Sequence, residues 1–344
     1  MCQHILSKAA FAASLVAAPL ACPLQAQKGD QLIPAECCAE STQQAWIEQL
    51  READRLRNEN RYDEAERAYG MARKQAETLG ADELPMAITL NRIGYQHQML
   101  GRLREAERSY AAALAIVERK SGAPSHNAVK LALDLSSAYL ELDQVARAES
   151  LIRRFLRRDN ELSSNDRATL LLDLASVLAA KRNFADAEAL YQQALLFFEH
   201  DSSRESRERT VIILSNLSTV YMQMDRFAEG RPYSDRALAL LGTMPDLQPL
   251  IVLKTMANAA AVSAKTGKPP ETDFLFQSTI AFCEKTFGRG HYLLGSIMSN
   301  YAEFLRTTGR HAEAKTASKR AKAIMNSFGR ENSIGLTVDA TAFR

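Results

Sequence analysis

Seven polar residues return down this chain at a nearly fixed interval: Arg51, Arg92, Asp134, Asp173, Asn216, Asn258 and Asn300. The last three stand 42 residues apart, in "LSNLS", "MANAA" and "MSNYA". A carboxamide carries both a donor and an acceptor, so a row of asparagines can hold a polypeptide main chain whatever its side chains are. Three places further on come Tyr95, Ser137, Ser176, Thr219, Ala261 and Glu303, and beyond them Gln98, Met99, Met222, Gln223, Lys265 and Arg306. Small polar residues dominate, which leaves room for a main chain and little charge to clamp a terminal carboxylate. Two cations, two anions and three amides in succession imply a partner read by alternating sign. The row has a second reading, in which the asparagines bond neighbouring elements to each other and face no partner.

Other reactive types are placed less suggestively. His126 in "GAPSHNAV" and His291 in "FGRGHYLL" occupy equivalent linkers, where a histidine serves as a turn or cap residue, and His97 stands where other repeats carry a core aromatic. There is no nucleophile elbow, no phosphate-cradling glycine loop and no metal-ligand spacing, so neither an enzyme nor a cofactor or metal is expected. With 43 Lys and Arg against 41 Asp and Glu, no large field favours nucleic acid. A composition 46% hydrophobic and 24% charged is that of a folded domain. The basic run Lys315, Lys319, Arg320 and Lys322 is read as the solvated face of a terminal helix.

The polar row needs a repeating scaffold, and the sequence has one. Small residues at Ala65, Ala106, Ala148, Ala187, Gly230, Thr272 and Ala314 are separated by 41, 42, 39, 43, 42 and 42 residues. Thr272 is the largest of them. Twelve places earlier stand Ala53, Gly94, Ser136, Ala175, Ser218, Ala260 and Ala302, and seven places later Ala72, Ala113, Ala194, Ala237 and Ala321, with Phe155 and Thr279 departing. Aromatics sit three before the anchor (Tyr62, Phe184, Phe227, also His311) or four after it (Tyr69, Tyr110, Tyr191, Phe276). Helix axes reach the short end of their roughly 8–10 Å packing range only where side chains are small, so the three small sites mark crossings of antiparallel helices. Asn60, Gly101, Asp143, Gly267 and Gly309 fall where the chain must reverse.

On these residues the chain resembles the tetratricopeptide repeat, in the longer form of kinesin light chains and bacterial relatives. "TFGRGHYLLGSIMSNYAEFLRTTGRHAEAKTASKRAKAI" (286–324) and "LNRIGYQHQMLGRLREAERSYAAALAIVERKSGAPSH" (90–126) carry the resemblance best, and it extends from about Trp46 to Phe328. It departs at Pro269, Pro270 and Thr272, where a displaced helix pair is expected, and at Gly230 and Pro232, which weaken a second helix. The resemblance implies an all-α, right-handed α-solenoid of about seven helix pairs, whose first helices line a concave groove for peptides. The groove would then hold Arg92, Tyr95, Gln98, Asp134, Ser137, Asp173, Ser176, Asn216, Thr219, Asn258, Asn300, Glu303 and Arg306.

The first 26 residues differ in kind. Lys8 without an acid, an apolar run from Ala9 to Leu20 and the small Ala26 make a cleaved secretory leader. Pro19 stands three before Cys22, against a lipoprotein. The expected order is a signal peptide (1–26), a flexible linker (27–40), the repeats (41–329) and an extended tail (330–344). No transmembrane segment is expected after removal of the leader. Cys38 and Cys283 would lie several repeats apart, beyond the roughly 7 Å a disulfide spans, so no bridge joins them. The expected role is a periplasmic or secreted, non-catalytic scaffold for a protein or peptide. Its alternatives are a subunit of an envelope assembly that uses its convex face or ends, and a cytosolic regulator if the leader is retained.

Overall fold

The computed structural model describes residues 37–121 and 124–331. Their regular structure is helical, and among the described residues there is no strand. The helices pair as α1 (Cys37–Asn58) with α2 (Tyr62–Leu79), α3 (Leu84–Met99) with α4 (Leu103–Ser121), α5 (His126–Glu141) with α6 (Val145–Leu156), and α7 (Ser164–Ala180) with α8 (Phe184–Glu199). They continue as α9 (Arg204–Gln223) with α10 (Phe227–Leu241), α11 (Pro249–Thr266) with α12 (Pro269–Phe287), and α13 (Tyr292–Thr307) with α14 (His311–Glu331). Two compact units divide within α7, between Leu170 and Leu171. In the first, each helix from α1 to α6 packs on the next, and α1, α3 and α5 also touch in succession. In the second, α8 to α14 do the same, and α9, α11 and α13 touch in succession. Packing of each pair on its neighbour is the all-α solenoid plan.

Each of the seven anchor residues is the fourth residue of its even-numbered helix, and each is buried. All seven residues twelve places earlier are buried too, as are all seven that follow by seven places, Phe155 and Thr279 included. The crossings are close enough to exclude a methyl group. A Cβ on Gly230 would lie 3.0 Å from the Ser218 carbonyl oxygen and 2.9 Å from the Tyr221 Cβ. Tyr69, Tyr110, Tyr191 and Phe276, four after the anchor, are among the largest fully buried side chains.

Six of the seven reversals use one turn. The residue five before the anchor takes positive φ at Asn60, Gly101, Asp143, Arg182, Asp225 and Gly309. The next N–H bonds back to the odd helix, as in Arg61 N to Leu56 O at 2.9 Å and Arg310 N to Leu305 O at 2.9 Å, the bond that closes a helix end. The remaining reversal, at Gly267, differs. Lys268 precedes a proline, which drives it to ψ 138, and Gly267 is extended at φ −90 and ψ 172. The α12 helix still forms, because its prolines occupy the first turn, and Ser263 and Thr272 hydroxyls meet at 2.8 Å in place of a bare contact. Pro232 leaves α10 unbroken.

Charged residues tie three of the turns to the preceding even helix. Arg102 pairs with Glu66 at 2.9 Å, Arg226 with Glu188 at 2.9 Å and Arg310 with Asp273 at 2.7 Å. Two expected boundaries move: α1 begins at Cys37, inside the expected linker, and α14 runs to Glu331, into the expected tail. The leader at 1–26, most of the linker and the tail from residue 332 lie outside the described residues, as do the side chains of Cys37 and Cys38. Cys283 is a free, buried thiol, and burial pushes its pKa up to about 12.

Candidate functional site

The asparagine row lies on the odd helices of the second unit, half-buried at each rung. Asn258 on α11 donates from Nδ2 to Ser215 Oγ of α9 at 2.9 Å. Asn216 on α9 makes a longer bond, 3.4 Å, to Ser176 Oγ of α7, a hydroxyl that also receives Tyr191 Oη at 2.9 Å. These two asparagines therefore bridge neighbouring odd helices, and no bond to either Oδ1 is seen among the described residues. Asn300 on α13 forms no such bridge among the described residues. Thr219 turns its hydroxyl back to Ser215 O at 3.1 Å. Glu303 and Arg306 pair on α13, and Arg306 also reaches Ser318 of α14 at 2.8 Å. Asp173 is half-buried on α7.

In the first unit the row becomes a charged network. Arg92 on α3 donates to Asp54 of α1 at 2.6 Å. The same carboxylate accepts Tyr69 Oη at 2.6 Å and lies 3.0 Å from Arg57. Arg57 is only 5% exposed and its guanidinium lies 5.0 Å from the centre of the Tyr95 ring. Burial opposes the charge on Arg57, but Tyr69, Asp54 and Tyr95 outweigh it and raise its pKa. Burial likewise lifts the Tyr69 phenol above its ordinary range. Asn91 Nδ2 of α3 donates to Asp134 of α5 at 2.9 Å. Gln98 donates to Ser137 and Glu141, each at 3.1 Å, and accepts from Tyr110 at 3.0 Å.

Of the expected residues in this unit, Gln98 and Ser137 thus meet between α3 and α5, while Arg92 turns to Asp54 of α1 and Asp134 to Asn91. Sequence reasoning missed Asp54 and Arg57, and with them a local concentration of positive charge. The signal was present: Arg51, Asp54 and Arg57 follow one another at three-residue steps, which keeps them along one side of a helix.

The histidines fall outside the row. His126 Nδ1 meets Asp166 Oδ1 at 2.6 Å, joining the starts of α5 and α7. His291 is buried ahead of α13, its ring stacked 4.8 Å from Phe287. Burial holds His97 below the usual histidine value. Lys315, Lys319 and Lys322 are exposed on α14, while Arg320 pairs with Glu284. Among the described residues no group of three or more His, Cys, Asp or Glu could hold a metal, and no helix is long and apolar enough to cross a membrane.

Residues 85–161 and 167–199 each match a tetratricopeptide repeat family. Among curated proteins none matches the sequence. Among solved structures, the chain is similar to the Rap conjugation gene regulator of the plasmid pLS20 in complex with the Phr* peptide, with a TM-score of 0.65 and 15% identity over 91% of this chain and 83% of that one. It is similar to aspartyl phosphate phosphatase F from Bacillus subtilis, with a TM-score of 0.62 and 11% identity over 87% of this chain and 74% of that one. It is also similar to NprR in complex with its cognate peptide NprX, with a TM-score of 0.57 and 16% identity over 87% of this chain and 85% of that one. At such identities the likeness is one of fold. The two matches cover the hairpins α3–α4, α5–α6 and α7–α8, helix pairs precede and follow them in the chain, and the chain carries tetratricopeptide repeats.

Proposed function

We propose that this chain is a non-catalytic scaffold that holds a peptide or protein partner along the face of its odd helices, and that it works in the periplasm or outside the cell after loss of residues 1–26. The observation that carries the binding role is the orientation of the amide row. Asn258 commits one amide atom to Ser215, which leaves the other to bond an N–H or C=O of a bound main chain. Packed helices stand about 8–10 Å apart, which an extended chain covers in about three residues. Successive rungs would therefore meet every third residue of a partner. Two of the similar structures hold a peptide, which supports the reading. The export reading rests on the apolar run and small residue at Ala26.

The test is the joint substitution Asn216→Ala, Asn258→Ala and Asn300→Ala. Loss of the partner that the unaltered protein captures, at unchanged helicity, supports the odd-helix face. Undiminished capture moves binding to the convex face or the ends and defeats the proposal. For export, the native protein should begin at Gln27; an N-terminus at Met1 would return it to the cytosol.

A further inference from the structure

One ion pair recurs between successive even helices. A glutamate twelve places after one anchor meets an arginine six places after the next: Glu118 with Arg154 at 2.8 Å, Glu199 with Arg236, and Glu284 with Arg320 at 2.5 Å. The last of these carries an addition. Arg289, in the linker between α12 and α13, lies 3.8 Å from the same Glu284 carboxylate, too far for a hydrogen bond, and its side chain is 86% exposed. Between α12, this linker and α14 the fold leaves an open cleft of about 470 Å³, lined by Glu284, Arg289, Arg320, Ala323 and Ile324. That volume falls within the roughly 300–1,000 Å³ of small-molecule sites. The lining has two chemistries, a pair of guanidinium groups about one carboxylate and the aliphatic surface of Ala323 and Ile324. Two cations against one anion leave a single positive charge in surplus. Lys319, four before Ala323 and so on the same side of α14, is exposed with no ion pair among the described residues and adds to the field.

We infer that this cleft binds an organic monoanion with a short aliphatic body, its head either a carboxylate or a phosphodiester. The head accepts N–H groups from Arg289, whose planar fork suits a pair of oxygens, and the body covers Ala323 and Ile324. Arg320 stays on Glu284, as Arg154 and Arg236 stay on their glutamates at the other two junctions. One surplus charge matches a monoanion better than a dianion. The site belongs to α12 and α14 and is independent of any partner held on the odd-helix face.

The test is isothermal titration calorimetry of the full chain with hexanoate, dibutyl phosphate, acetate and hexanol. Hexanoate or dibutyl phosphate should bind at least roughly tenfold more tightly than acetate, which lacks the body, and than hexanol, which lacks the charge; the tighter of the two identifies the head. Added salt should weaken that binding. Arg289→Gln, at an exposed linker residue, should weaken it by roughly tenfold, and Ala323→Glu, which supplies the cleft with a carboxylate of its own, should weaken it too. Far-ultraviolet circular dichroism verifies that both variants keep their helices. Absence of binding by both aliphatic anions, equal binding of all four probes, or binding that neither substitution alters would overturn the inference.

Discussion

Gly94 and Gly70 invite the same substitution and should answer with opposite signs. Gly94 lies in α3, where a Cβ would stand 2.7, 2.8 and 3.2 Å from three atoms of the Tyr110 ring. Ordinary carbon contacts are about 3.5–4.0 Å, so the ring would have to retreat by nearly 1 Å. It cannot do so freely, because Tyr110 is 0% exposed and its hydroxyl is bonded to Gln98 at 3.0 Å. Overpacking of this kind costs about 1–3 kcal/mol, against a gain of about 1 kcal/mol from replacing a helical glycine by alanine. Gly94→Ala should therefore lose up to about 2 kcal/mol. Gly70, exposed in α2, has nothing within 4 Å of its Cβ position. Only the helix-propensity gain applies there, and Gly70→Ala should rise by about 0.5–1 kcal/mol. Urea unfolding followed by far-ultraviolet circular dichroism, with slopes compared to confirm the same exposed surface, measures both. If the two variants shift the same way, small residues are not what sets the helix approach.

Other perturbations separate buried from exposed charge and regular from strained backbone. Asp54→Ala leaves the buried Arg57 without its carboxylate and should cost about 3 kcal/mol or more in urea unfolding, whereas Glu313→Ala, which removes an exposed partner of Arg310, should change stability little. Arg182 holds φ 61 without being glycine, so Arg182→Gly should raise stability by about 0.5–1 kcal/mol; a fall would mean its place over the Phe184 ring outweighs the strain. Burial keeps His97 neutral among Glu66, Arg102 and Glu105, with a pKa below the ordinary 6.5. The stability it contributes is complete above pH 6.5 and is lost as the pH falls through its lower folded value. Replacement by leucine should flatten that part of the stability curve, and an unchanged slope would refute the assignment.

The repeat was legible because its constraint is a distance between backbones, which only small side chains satisfy, and the chain states it seven times. The turns were legible only in part. Glycine at 101 and 309 advertises positive φ, but Arg182 adopts it with no compositional signal, and Gly267 does not adopt it because Pro269 constrains the residue between them. The polar row could be read as a row, while the direction of each bond could not. Whether Asn258 turned to Ser215 or outward depended on a hydroxyl 43 residues away. Arg57 was hidden for a different reason: a long cationic side chain reads as surface until two tyrosines and a carboxylate are seen to enclose it.

The side-chain bonds that join successive hairpins share a short reach along the chain. Trp46 to Thr89, Asn91 to Asp134 and Asn258 to Ser215 each span 43 residues, and Arg102 to Glu66 and Arg226 to Glu188 span 36 and 38. A duplicated segment of one period, spliced in at a hairpin boundary, would arrive with its own donors facing acceptors already waiting on either side. Lengthening by gene duplication is thus a conservative event for this architecture, and a unit copied from the last three repeats would extend the amide row by a further rung.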